Sequence, residues 1–359
     1  MEARLILEDG SIFVGVSRGA EGEAWGEVIF HTGMTGYQEI ITDPSSCGQI
    51  LTMTFPLIGN YGINEEDSEA RRPFLRGFIA RELCSAPHNW RSLKSIGTYF
   101  QEQNVVAMDS IDTRALTRLL RNKGNLRGII TTQNTDGALL VEKAKKLPAI
   151  SEQDLISEVT TPEVYSWENK GPHVVVLDLG LKRSIARALH DMGCRLTIVP
   201  ATYQTREILQ LQPEGLLLAG GPGDPRMAKA PLATTKELFG KIPMLGIGLG
   251  HQLLALGLGG KIKKLKFGHH GANYPVKDLI RDKVFITSQN HSFIVSEKGL
   301  PPGLQTTHLN LNDETIEGLR EEKLKITTVQ FHPETFPGPV ESKYIFELFL
   351  NDMLSKNKR

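Results

Sequence analysis

The sequence predicts an α/β protein with two domains, a small mixed domain followed by a parallel sheet flanked by helices. A chain of 359 residues is longer than one hydrophobic core usually supports. After residue 172, short apolar runs alternate with amphipathic stretches, as in sheets whose strands are joined by helices. Residues 146–171 are polar and lack periodicity. We therefore expect a first domain over 1–145, a linker over 146–171 and a second domain over 172–359.

Composition narrows the classes of function. The 41 basic and 41 acidic residues leave no net charge, which disfavours nucleic acid and anionic membranes as partners. No stretch approaches the roughly 20 apolar residues of a membrane span, and the N-terminus lacks a secretory signal pattern. The 3 cysteines are sparse and match no metal-binding spacing. We expect a cytoplasmic protein with neither a membrane nor a nucleic-acid partner.

The first domain mixes strands and helices. Two β-rich runs joined by Asp9-Gly10 predict a hairpin. Segment 34–45 indicates a helical turn that ends in an Asp-Pro-Ser loop. Further elements are predicted as strands over 28–30 and 49–53 and helices over 92–103 and 112–121. On residue types alone, this half shows no catalytic spacing.

The second domain alternates strands with helices. Strands are predicted over 173–178, 195–199, 215–219, 284–288 and 325–331, and helices over 182–192, 205–212 and 342–354. Ligand sites in such sheets lie at the carboxyl ends of the strands, so the segments that follow the strands are the candidates for a site.

The run from Pro243 to Gln252 passes from an apolar strand through closely spaced glycines into a helix. A sharp turn of this kind presents the nucleophile of many hydrolases, and it needs small residues two positions to either side of its tip. Gly246 and Gly250 occupy those positions. The tip itself is Gly248, so the turn carries no nucleophile.

Two further segments follow predicted strands. The glycines of loop 220–225 allow backbone N–H groups to approach a ligand, although such a loop alone is often only a turn. His332 and Glu334 follow the last strand, and a carboxylate on one ring nitrogen leaves the other as a general base. Alone, this triplet is also typical of an ordinary surface.

A basic run precedes the adjacent residues His269 and His270. Lys261, Lys263, Lys264 and Lys266 are typical of a solvated edge strand. The two histidines have no third ligand near them in sequence, so no metal site is predicted.

Taken together, loop 220–225, the turn at 246–252 and the triplet 332–334 resemble the class I glutamine amidotransferase domain, from about residue 172 onward. The front half is similar to the first domain of the small subunit of carbamoyl phosphate synthetase, and one segment of the second half is similar to the amidotransferase half of the same subunit. These segments are Thr32–Ile40, Thr42–Ser45, Ile111–Thr117 and, in the second half, Lys266–Gly271 followed by Asn273. The resemblance to that small-subunit family spans nearly the whole chain.

The resemblance implies an activity shared between two subunits. The small subunit would hydrolyse L-glutamine to glutamate and ammonia, and a tunnel would carry ammonia to a large subunit. That subunit would activate bicarbonate with ATP and Mg²⁺, and the carbamoyl phosphate formed would feed arginine and pyrimidine synthesis. The resemblance implies no cofactor in this chain.

The resemblance also assigns roles to positions. His332 matches the general base and Glu334 its orienting carboxylate. Gly223 and Leu249 match the N–H donors of an oxyanion hole. The positions that match the glutamine pocket are Ser45, Gly221, Gly223, Leu249, Gln252, Asn290, Ser292 and Phe293. Ser292 stands where the family commonly has glycine, and Gly248 stands where it has its nucleophilic cysteine.

Two functional hypotheses follow. In the first, the chain is the amidotransferase subunit, with its glutaminase activity lost at Gly248. In the second, it is a non-catalytic docking or glutamine-binding subunit of an enzyme that uses free ammonia. A partner for some other synthase is disfavoured by the front half.

Overall fold

The structure is a computed structural model that describes residues 1–334, 338 and 341–355. It divides into two compact units, Met1–Gln153 and Asp154–Arg359. The boundary falls inside the segment 146–171, and the strand Tyr165–Trp167 from that segment pairs within the sheet of the second unit. Within the described part of the chain, no helix is long and apolar enough to cross a bilayer.

The first unit, all of whose residues are described, contains a closed barrel. Its strands are β1 Glu2–Leu7, β2 Ile12–Ser17, β3 Glu23–His31, β4 Gln49–Met53, β5 Leu57–Ile58, β6 Gly77–Ile79, β7 Glu82–Leu83, β8 Val106–Asp109 and β9 Leu126–Thr131. Its helices are α1 Tyr37–Thr42, α2 Ile96–Glu102, α3 Thr113–Lys123 and α4 Gly137–Lys145. The barrel order is β1-β2-β8-β6-β4-β3-β9, closed by pairing of β9 with β1, while β5 pairs with β7.

Local signals explain the elements of this unit that the sequence predicts. The hairpin of β1 and β2 is confirmed, with the two strands antiparallel. The carboxylate of Asp112 accepts a hydrogen bond from the Ala115 N–H at 2.9 Å, which caps the start of α3. Gly124 ends that helix with a φ of 99°, a conformation that favours glycine.

The second unit contains a ten-stranded sheet within its described residues. Its strands are β10 Tyr165–Trp167, β11 His173–Asp178, β12 Arg195–Pro200, β13 Gly215–Leu218, β14 Met244–Ile247, β15 Ile262–Asp278, β16 Lys283–Val295, β17 Gln305–Asn310, β18 Ile316–Glu321 and β19 Ile326–Val329. Its helices are α5 Ile156–Val159, α6 Arg183–Asp191, α7 Thr205–Gln210, α8 Lys229–Leu238, α9 Leu249–Gly257 and α10 Tyr344–Leu354. The sheet order is β10-β12-β11-β13-β14-β19-β18-β17-β15-β16.

Helices cover both faces of the parallel part of this sheet. Alternate residues of a strand point to opposite faces. Val174 and Val176 pack with residues of α6 and α10, whereas Val175 and Leu177 pack with residues of α7, α8 and α9. Both layers are apolar, as expected for strands buried on two sides. The predicted α/β class, with a parallel-rich sheet flanked by helices, is confirmed.

Replacing Gly250 with alanine tests the close packing of α9 on β13. A Cβ at this position would overlap the Leu218 carbonyl oxygen and lie 2.8 Å from the Leu218 Cβ. Backbone cannot move aside as a flexible side chain does, so we expect a loss of about 1–3 kcal/mol in the free energy of unfolding. Thermal unfolding of the purified variant measures the effect.

Gly137→Ala is the matched control for that substitution. Its Cβ would meet only the end of the Ile12 side chain, at 3.0 Å, and alanine favours the helix that begins there. We expect no loss of stability. Equal losses in the two variants would show that tight packing at Gly250 is not the cause.

Candidate active site

Four parallel strands end at one edge of the second sheet. β11, β13, β14 and β19 lie side by side in that order and run in the same direction. Their carboxyl ends therefore meet. The residues that follow these ends are Lys182 after β11, Gly221 and Gly223 after β13, Gly248 after β14, and His332 and Glu334 after β19.

The turn between β14 and α9 has the strained geometry that the sequence predicts. Gly248 has φ 58° and ψ −112°, a conformation that L side chains rarely adopt. A Cβ on Gly246 would lie 2.7 Å from the Gly250 carbonyl oxygen, so strand and helix approach closely. The Gly248 N–H donates to the Val329 carbonyl at 2.9 Å, which joins the tip of the turn to β19.

The tip of this turn has room for a side chain. A Cβ on Gly248 would lie 3.5 Å from Gly220 Cα, an ordinary van der Waals contact. The obstacle to a side chain here is backbone strain rather than crowding. Position 248 therefore has space for a side chain, and in this chain it is glycine.

The loop after β13 packs against the start of α9. A Cβ on Gly221 would overlap the Leu179 carbonyl oxygen and lie 3.0 Å from Leu249 Cδ2. Gly223 has a φ of 82°, which favours glycine. Leu249 is the first residue of α9, so its N–H has no helical carbonyl one turn earlier to bind. The structure brings Gly221 and Leu249 together, and the oxyanion-hole role of Gly223 and Leu249 stays a prediction.

Three buried side chains form the polar centre of the site. His332 Nδ1 lies 3.1 Å from Glu334 Oε1. Lys182 Nζ donates to the same carboxylate oxygen at 2.7 Å. All three residues are at most 5% exposed. Sequence reasoning missed Lys182 because its position read as the start of a helix, although its place beyond the carboxyl end of β11 was a usable signal.

Charge balance keeps the Glu334 carboxyl ionised. Burial alone raises the pKa of Glu334, but Lys182 and then His332 outweigh it, and the pKa falls to about 2. Glu334 is therefore an anion at neutral pH, facing the Nδ1 edge of the imidazole. This is how a carboxylate orients a histidine that acts as a general base. The structure thus places a carboxylate-oriented imidazole at this edge of the sheet, and position 248 carries no side chain.

Residues that match the glutamine pocket lie on α9 and β16. Gln252 Nε2 donates to the Phe293 carbonyl at 2.7 Å, which brings these two residues together. Gln252 Oε1 and Ser292 Oγ are buried with no hydrogen-bond partner among the described residues. Buried polar atoms of this kind are uncommon, and a bound ligand would satisfy them. Asn290 Oδ1 lies 2.7 Å from His270 Nδ1.

Ser45 lies in the first unit. It belongs to a 3-10 turn over Pro44–Ser46 that follows α1, as the predicted helical turn and Asp-Pro-Ser loop require. Its N–H donates to Asp43 Oδ1 at 2.8 Å. The contribution of Ser45 to the glutamine pocket stays a prediction.

His251, next to the turn, has a structural role. It is fully buried, and its Nδ1 lies 2.8 Å from Thr328 Oγ1, which links α9 to β19. Burial lowers the pKa of His251 to about 3, so the ring is neutral. Of these two histidines, His332 is the one that a carboxylate orients.

Two family models match the chain. Residues 175–351 match the class I glutamine amidotransferases, and residues 5–130 match the carbamoyl-phosphate synthase small chain, CPSase domain. Fold and site together thus define the second unit as a class I glutamine amidotransferase domain.

Relatives extend the match to nearly the full length. A carbamoyl phosphate synthase small chain from Syntrophotalea carbinolica is 48% identical over 100% of this chain and 99% of the relative. A small chain from Clostridium perfringens is 49% identical over 98% of this chain and 99% of the relative. The pyrimidine-specific small chain of Bacillus subtilis is 43% identical over 98% of this chain and 95% of the relative. The chain belongs to the carbamoyl phosphate synthase small chain family, whose members are glutamine amidotransferases.

Replacing Lys182 with methionine tests the buried ion pair. The variant leaves the Glu334 carboxylate without its cation, and breaking a buried pair typically costs about 3–5 kcal/mol. We expect a lower thermal midpoint at neutral pH than for the unsubstituted chain. Lys236→Met, which removes an exposed lysine of α8, is the matched control and should leave the midpoint unchanged.

The pH dependence follows from the lowered pKa of Glu334. The folded pKa of about 2 lies below the ordinary 4.5, so the ion pair contributes fully above pH 4.5. That contribution is lost as the pH falls towards 2. The difference in midpoint between the unsubstituted chain and Lys182→Met should shrink over this window. A difference independent of pH would contradict the ion pair.

Proposed function

We propose that this chain is the glutamine amidotransferase subunit of a two-subunit carbamoyl phosphate synthase, and that its glutaminase activity is lost because glycine stands at position 248 in place of the nucleophile. The observation that carries the proposal is the strained turn with room for a side chain beside an intact His332, Glu334 and Lys182. The site keeps the carboxylate that orients the imidazole and lacks the nucleophile that the imidazole would activate.

Chemistry explains why the loss is severe. In amide hydrolysis by this class, a thiolate attacks the amide carbon, and the histidine passes a proton to the departing ammonia. The N–H groups of Gly223 and Leu249 would stabilise the oxyanion. Without a thiol, no thioester forms, and His332 is left only to activate water. Losing a nucleophile typically lowers the rate by several orders of magnitude.

The cysteines of the chain offer no substitute. Cys194 immediately precedes β12, lies far in sequence from the turn, and is buried. Burial raises the pKa of Cys194 to about 11, so it is a thiol rather than a thiolate at neutral pH. Cys47 and Cys84 lie in no segment that matches the strand-turn-helix motif around Gly248.

The partner in this proposal is a large subunit. The relatives are named small chains, which supports an assembly in which a second chain completes the enzyme. That chain would bind ATP and Mg²⁺, activate bicarbonate and convert ammonia into carbamoyl phosphate in the cytoplasm. This chain would contribute the L-glutamine pocket.

A second function is favoured by the same glycine. With no nucleophile, the chain would serve as a docking or glutamine-binding subunit while the large subunit uses free ammonia. The two proposals differ in whether a thiol at position 248 restores coupling between the subunits.

The experiment compares nitrogen sources in the purified two-subunit complex. Carbamoyl phosphate should form with ammonium chloride and scarcely with glutamine. Gly248→Cys should raise the glutamine-dependent rate by about 10³-fold or more, at a cost of about 1–3 kcal/mol in stability from the strained backbone. Glutamine turnover by the unsubstituted complex at a comparable rate would contradict the proposal.

Gly248→Ala is the matched control, because it carries the same backbone strain without a thiol. It should stay inactive with glutamine and active with ammonia. If Gly248→Cys also stays inactive with glutamine while using ammonia, the docking function is supported and the first proposal fails.

A further inference from the structure

A buried cluster of two histidines and a carboxylate lies on three strands of the second sheet. His269 on β15 and His291 on β16 are direct partners in the antiparallel register, and Glu317 comes from β18. Their exposures are 5%, 8% and 0%. One ring nitrogen of each histidine and one carboxylate oxygen all lie within 4.8 Å of one another.

The atoms that face one another in this cluster are one ring nitrogen of each histidine and side-chain oxygens of Glu317 and Gln289. His269 Nδ1 lies 3.7 Å from Glu317 Oε1, and His291 Nε2 lies 3.9 Å from the same oxygen. Gln289 Oε1 is 3.2 Å from His291 Nε2. Neither carboxylate oxygen of Glu317 has a hydrogen-bond partner among the described residues.

Outer partners orient both rings towards the cluster. His269 Nε2 lies 2.9 Å from the Asp313 carboxylate, and His291 Nδ1 lies 3.1 Å from the Phe293 carbonyl. Donation of the outer N–H by each ring would leave its inner nitrogen as the atom that binds a metal. Carboxylates and backbone carbonyls in these positions are typical of metal-binding histidines, whose tautomer they set.

We propose that His269, His291 and Glu317 bind a divalent transition-metal ion of the zinc class. In tetrahedral coordination with metal–ligand distances near 2.0–2.1 Å, neighbouring ligand atoms are about 3.4 Å apart. The separations of 3.7 and 3.9 Å need only small side-chain adjustments to reach that value. Two imidazoles and one carboxylate suit zinc-class ions and do not suit Mg²⁺ or Ca²⁺, which prefer oxygen ligands.

The ion would have a structural role. His291 lies between Asn290 and Ser292 on β16, and the Phe293 carbonyl that orients His291 also accepts from Gln252. A metal would therefore fix the strand whose neighbouring residues match the glutamine pocket. Because the three ligands differ from His332 and Glu334, the metal-site proposal can be tested independently of glutamine hydrolysis.

Metal binding by the untagged full chain tests the site. The protein is stripped with a chelator, and Zn²⁺ is titrated in competition with a chromophoric chelator. We expect about one equivalent to bind with a rise in thermal midpoint. Co²⁺ bound in its place should give the visible absorption of a tetrahedral site. Absence of both binding and the cobalt spectrum would overturn the proposal without any variant.

Variants assign the ligands. Glu317→Gln keeps the shape and should weaken Zn²⁺ binding by about 100-fold or more, whereas Asp313→Asn should weaken it by about 10- to 100-fold. Glu314→Gln, an exposed neighbour in sequence, is the matched control and should change nothing. Unchanged Zn²⁺ affinity in a folded Glu317→Gln variant would place the ion elsewhere and defeat the proposal.

Discussion

The buried ion pair between Lys182 and Glu334 is the interaction on which the site depends. Burying two charges costs several kcal/mol of desolvation, which attraction inside the protein only partly offsets. Glu334 is fully buried, so it stays ionised only because Lys182 donates to it and His332 lies beside it. An apolar pair of similar volume would fill the same space without the desolvation cost, so stability alone does not explain Lys182 and Glu334. Orientation of the His332 imidazole explains why a buried carboxylate and its cation lie here.

The turn between β14 and α9 also has a cost in stability, which here lies in the backbone. Gly246 and Gly250 allow β14 and α9 to approach closely, and the tip adopts a conformation unfavourable for L residues. Other enzymes tolerate that strain because the tip holds a reactive side chain. Glycine at 248 relieves the strain and carries no side chain that could react. The chain therefore has the architecture of an amidotransferase domain with glycine at the tip of this turn.

Local pattern predicted much of the second unit. β11 matches its predicted bounds, and the turn at Gly248 and the triplet that ends in Glu334 lie at the predicted edge, because strand-and-helix alternation fixes which ends of the strands meet. The closed barrel of the first unit was not predicted, since its strand order depends on pairings between distant segments.

Side-chain clusters formed by distant strands were not predicted either, because they also depend on pairing between distant segments. Lys182 and Glu334 are 152 residues apart, and no local pattern links them. His269 was judged with its neighbour His270, whereas the structure places it opposite His291 and near Glu317. Strand register decides these contacts, because a one-residue slip would turn every side chain of a strand to the opposite face of the sheet.

Binding of L-glutamine without its hydrolysis is the most direct test of a preserved pocket around a missing nucleophile. Calorimetric titration of the two-subunit complex, followed by analysis of the recovered ligand, measures both. The account predicts saturable binding with the glutamine recovered intact. Absence of binding, or steady release of glutamate, would contradict it.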